Sequence, residues 1–147
     1  MLESLYSQLG AVPMIFIGGF AFWKGEEPER VGAGTYLLAW LASMLIQGQW
    51  ASLTSWIYGV LAIDIVVSLM FAGLAWKTRR AWPYWAAGFA LLAVIGHVTT
   101  IIQMWSDQKP LVDAYMTALA ISSYGIIAAI GVGTFWAWQE RRAAGLE

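Results

Sequence analysis

From Val31 to Trp76 the chain carries one charged side chain, Asp64. A soluble fold cannot supply a water-facing surface from such a stretch, because soluble domains are about 25% charged and about 45–50% apolar. The whole chain of 147 residues is 12% charged and 60% hydrophobic, with a mean hydropathy of +0.64. These proportions exclude a soluble globular protein, a disordered tail and a nucleic-acid-binding module. A formal net charge of −1 offers no basic surface for phosphates. Without cysteine there is no disulfide framework, thiolate metal site or cysteine nucleophile.

The charge-free runs divide the chain. A membrane-crossing helix needs about 20 apolar residues, and the runs predict an all-α membrane protein of five spans, about 5–23, 31–50, 56–76, 83–105 and 114–138. The 31–76 stretch is too long for one helix. Its polar centre (Gln47, Gly48, Gln49, Ser52, Thr54, Ser55) reads as a turn at the membrane surface, with Thr54 or Ser55 capping the next helix. Pro83 suits the first turn of the fourth helix, and Asp113 is a plausible cap for the fifth. The N-terminus has no basic residue ahead of its apolar run, so the first segment reads as a retained span rather than a signal peptide.

Seven of the eight basic residues fall on one side of this arrangement: Lys24, Arg30, Lys77, Arg79, Arg80, Arg141 and Arg142. Basic residues in short loops stay cytoplasmic, which predicts an outside N-terminus and a cytoplasmic C-terminus. Gly25-Glu26-Glu27-Pro28-Glu29 then reads as a solvated cytoplasmic acidic loop. Nine of the ten tryptophans, Trp82 among them, lie at or near span ends and read as an aromatic belt at headgroup level.

Two ionisable side chains fall inside spans, Asp64 and His97. Each lies eight residues from the outer end of its helix, at Trp56 and Trp105, so both sit about 12 Å deep and can pair. The same depth count adds Ser43, Ser122, Ser123 and Tyr124. Ser68 and Thr100 are placed one turn deeper, completing a polar layer in the outer half of the bundle. Tyr58, Gln47, Gln49 and Gln103 lie nearer the outer surface. Gly125, Ala129 and Gly133 form a small-residue stripe that lets helices approach closely, within the chain or between copies.

Catalytic sets are missing. One His, one intramembrane Asp, no Cys and no buried Glu cannot build a zinc or di-iron site within one chain. No mid-span Lys can form a retinal Schiff base, a second Asp for an aspartyl protease is lacking, and Ser122-Ser123 lacks the glycine-flanked nucleophile turn. No catalytic residue and no metal ligand set is assigned. His97 alone offers an axial ligand to haem or a chlorophyll magnesium.

The run Arg79-Arg80-Ala81-Trp82-Pro83-Tyr84-Trp85-Ala86-Ala87-Gly88-Phe89, with Leu91-Leu92-Ala93-Val94 and His97 after it, Asp64 before it and Ala114-Tyr115 to Ser123-Tyr124 further on, resembles a group of small bacterial inner-membrane proteins. The resemblance covers roughly the C-terminal two-thirds and implies a membrane bundle without an assigned activity. The tryptophan-rich sensory proteins share the helix number and the many tryptophans, but their proline–tryptophan motifs are absent here. The leading expectation is a small accessory or structural membrane subunit, self-associated or part of a larger membrane complex. The alternatives are a transporter or proton-coupled channel using Asp64 and His97, and a porphyrin or chlorophyll binder through His97. The lipid bilayer is the expected surrounding, and nucleic acid is not an expected partner.

Overall fold

The computed structural model describes residues 2–49 and 53–146. Five helices follow one another: α1 Leu2–Lys24, α2 Glu27–Gln49, α3 Leu53–Thr78, α4 Ala81–Trp105 and α5 Val112–Ala143. The described residues contain no strand. α2, α3, α4 and α5 close a ring in which each packs on the next and α5 returns to α2, and α1 lies along α5 and α2. Four of the helices, all but α1, are long and apolar enough to cross a membrane; the corresponding apolar part of α1 is the shorter Ala11–Lys24.

The helices are apolar on their outer as well as their inner faces. Leu38, Leu45, Leu69, Ile95 and Ile102 are all more than half exposed. A helix that is apolar all round needs an apolar medium outside the bundle as well as an apolar core within it. The core itself is built on small residues that receive large ones. Trp82 packs among Phe71, Ala33, Ala86 and Ile130. Its ring lies where a Cβ on Gly32 or Gly133 would stand, and the Phe89 ring does the same at Gly125. The stripe Gly125, Ala129 and Gly133 is therefore filled from within the chain, by aromatic rings of α4.

Several sequence expectations need correction. α2 begins at Glu27, not near 31, because Pro28 sits in its first turn and Glu29 reaches back to the Glu26 amide. The segment expected as a solvated acidic loop is thus a helix start, and Glu29 is fully buried. Trp82 is also buried, at 2% exposure, so it belongs to the core and not to the belt. Trp23, Trp76, Trp85 and Trp105 are exposed at or near helix ends, as a belt requires. Thr54 and Ser55 lie inside α3, which starts at Leu53, and neither is its cap. Trp50, Ala51 and Ser52 of the expected turn lie outside the described residues. The position before α5 is Leu111, and Asp113 falls within the first turn, where its charge faces the positive end of the helix dipole.

The ends of α1 and α5 and the starts of α2 and α4 meet at one end of the bundle. There the Arg141 guanidinium donates to the Lys24 carbonyl, satisfying a terminal acceptor of α1. Arg79 closes α3 with φ at 53°, the left-handed position that commonly ends a helix.

Candidate functional site

α3 and α4 are antiparallel neighbours, and their register can be read from two contacts. At the Trp105 end of α4 the indole donates to the Tyr58 hydroxyl at 3.1 Å. Two turns deeper His97 Nε2 lies 2.7 Å from Asp64 Oδ2. α5 adds a third member that the sequence reading did not include. The Tyr115 hydroxyl lies 2.8 Å from His97 Nδ1, and the two rings meet edge to face. His97 is fully buried, Tyr115 is 6% exposed, and the Asp64 side chain keeps 23% of its surface.

With Tyr115 donating to Nδ1, the ring proton stands on Nε2 and donates to the Asp64 carboxylate. If the ring takes a second proton, Nδ1–H donates to the Tyr115 oxygen instead. The geometry thus accommodates neutral and charged imidazole without moving a heavy atom. Both ring nitrogens are engaged, so this arrangement leaves no lone pair for the metal of a haem or chlorophyll. Among the described residues no group of three His, Cys, Asp or Glu could hold a metal ion.

The expected polar layer is only partly assembled. Ser68 donates to the Asp64 carbonyl of its own helix at 2.8 Å. Thr100 is buried beside His97's face of α4, but one turn nearer the Trp105 end and not deeper, because α4 runs from Ala81 to Trp105. Ser43 is half-buried on α2; Gly59 of α3 faces Ile46 of α2, which puts Ser43 within about one turn of Asp64's depth. Ser122 donates to the Phe89 carbonyl at 2.6 Å, a level eight residues along α4 from His97 and so about 12 Å deeper. Ser123 is half-buried on α5, next to Ser122. Tyr124 is turned outward, 48% exposed.

The α5 misplacement has a definite cause. Counting from Trp105 and Ala114 assumes that the two helix ends are level. The 106–110 connection folds back, and the Leu111 amide donates to Gln103 Oε1 at 3.2 Å. Residue 111 is therefore level with 103, and Tyr115, not Ser122, reaches the depth of His97.

A second polar cluster lies at the opposite end. Glu29 Oε1 accepts from Arg80 Nη1 and from the Trp82 indole, both at 2.8 Å, and its Oε2 accepts from the Glu26 amide at 3.0 Å. Arg80 also pairs with Glu26. Burial lowers the Arg80 pKa, but the charge of Glu29 and the bonds to both carboxylates more than offset it, so the guanidinium is held above its ordinary value. The signal for this cluster was Pro28: a proline marks the first turn of a helix, which places Glu29 inside it.

Between the two clusters the interior is built mainly of Val67, Phe71, Ala86, Ala90, Ile126 and Ile130, with buried Ser122 bonded to the Phe89 carbonyl at the same level. A cavity among α1, α2 and α5 has a volume of about 10 Å³, about what a single water needs. No buried side-chain nitrogen or oxygen among the described residues lacks a partner. No protein-family model, curated protein or solved structure matches the chain.

Proposed function

We propose that this chain is a small accessory or structural subunit of a bacterial inner membrane, working as a homo-oligomer or within a larger membrane complex. The observation that carries this reading is the sealed interior. Both polar clusters are satisfied within the chain, and the packed side chains of Val67, Phe71, Ala86, Ala90, Ile126 and Ile130 lie between them. Each cluster joins helices distant in sequence: Glu29, Arg80 and Trp82 tie α2 to α4, and Asp64, His97 and Tyr115 tie α3, α4 and α5. Their role is to fix which helices pack and in what register. Loops this short and no catalytic set leave a membrane-embedded surface as the means of action.

All five helices cross the membrane, α1 included, with the N-terminus outside and the C-terminus in the cytoplasm. The support is the gathering of Lys24, Arg30, Lys77, Arg79, Arg80, Arg141 and Arg142 towards one end. The test is extraction in a mild detergent followed by mass measurement of the intact particle. An assembly of several chains, or a reproducibly co-purifying membrane partner, is the expected result. A monodisperse single chain with no partner contradicts it.

A second reading has one observation in its favour. The Asp64 side chain keeps 23% of its surface while its His97 partner is sealed, so the carboxylate is open on one side of the bundle. In that reading the pair binds protons in a transport cycle, and Asp64→Asn abolishes a flux while leaving the fold intact.

A further inference from the structure

A groove of about 460 Å³ runs along the outside of α2 and α3 at the end where the basic residues gather. Its walls are Val31 of α2 and Leu69, Met70 and Gly73 of α3, and Lys77 stands at its mouth. From Leu69 to Thr78 it follows α3 for about 13 Å, close to half of the roughly 30 Å hydrocarbon core, and so to the depth of one leaflet. The apolar part thus lies where acyl chains lie, and the charged part lies at the level of headgroups.

From this geometry we propose that the groove holds one anionic phospholipid, with an acyl chain over Gly73 and the headgroup phosphate on Lys77. The proposal rests on the membrane reading above and goes beyond it in naming a ligand and a site. Three observations support it. A Cβ at Gly73 would meet nothing within 4 Å, so the middle of the groove is open space. Lys77 Nζ is 3.7 Å from Glu27 Oε1, with the side chains 77% and 81% exposed; a pair so exposed is weak, and Lys77 turns to a phosphate at little cost. Arg30 and Arg79, exposed and adjacent in sequence to the lining residues Val31 and Thr78, add two basic side chains at this end of the bundle to set against Glu27. Basic pockets between membrane helices on the cytoplasmic side are where anionic headgroups bind.

The test reconstitutes the full chain in vesicles of equal parts phosphatidylglycerol and phosphatidylcholine and weighs the protein with its retained lipid by native mass spectrometry. One phosphatidylglycerol per chain is expected, in preference to phosphatidylcholine. Lys77→Gln is expected to lower that preference about fivefold, the contribution of one basic side chain at an anionic surface. Gly73→Leu places a side chain in the groove at a position where its Cβ meets nothing within 4 Å, and is expected to lose the retained lipid of both kinds. Gly88→Leu, at another open position, keeps it. Equal retention of the two lipids by the wild type, or undiminished retention by Gly73→Leu, overturns the proposal. Failure of the wild type to enter vesicles at all overturns the membrane reading with it.

Discussion

Gly133→Ala is expected to lower the stability of the bundle by about 1–3 kcal/mol, and Gly133→Leu to prevent the native packing. A glycine in mid-helix ordinarily costs about 1 kcal/mol against alanine, so the substitution alone would strengthen α5. Here the added Cβ would stand 2.3 Å from Trp82 Cδ1 and 2.4 Å from Cγ. The obstacle is a rigid ring held by its own indole bond to Glu29. Movement of the ring breaks that bond, and movement of α5 loosens its contact with α4. Gly125→Ala meets the Phe89 ring at 2.4 Å and is expected to act in the same direction. Gly73→Ala and Gly88→Ala, where a Cβ meets nothing within 4 Å, are the controls and gain up to about 1 kcal/mol. Thermal unfolding in one detergent across the four variants reads the sign directly. A stabilising Gly133→Ala would mean that Trp82 does not occupy the α4–α5 interface.

Glu29→Ala is expected to be the most damaging single change among the polar residues, at about 3 kcal/mol or more. The carboxylate is fully buried and accepts three hydrogen bonds, from the Arg80 guanidinium, the Trp82 indole and the Glu26 amide. Its loss leaves an indole N–H unpaired in the core and a guanidinium with only Glu26 beside it. Most of the penalty comes from those orphaned partners. Glu29→Leu combined with Arg80→Met removes both charges and is expected to recover a large part of the loss. The same unfolding measurement checks this: a double variant no better than Glu29→Ala would show that the cluster stabilises by attraction rather than by avoiding an unpaired charge.

The helix number and the pairing of α3 with α4 could be read from the sequence, because charge is excluded from each span and Trp56 and Trp105 mark level ends. The Asp64–His97 contact followed from equal counting on two helices joined by a tight turn. Tyr115 did not, because the 106–110 connection folds back and brings Tyr115, seven residues before Ser122, to the depth of His97. Glu29 and Trp82 were hidden for a different reason. Both have the composition of surface residues, and only their mutual bond permits burial. A pattern of charge against apolarity carries no trace of a partner fifty residues away unless the helix start at Pro28 is given its full weight.

The most direct measurement compares wild type and Asp64→Asn in sealed proteoliposomes carrying a pH gradient, with the melting temperature of each protein taken in parallel. If the Asp64–His97–Tyr115 cluster holds helices together, both proteins leave the vesicles as proton-tight as protein-free ones. Asp64→Asn then melts lower by about 2–4 °C, as loss of roughly 1 kcal/mol implies for a chain of this size. A proton flux in the wild type that Asp64→Asn abolishes, with an unchanged melting temperature, would contradict a structural role and make this pair a proton-binding site.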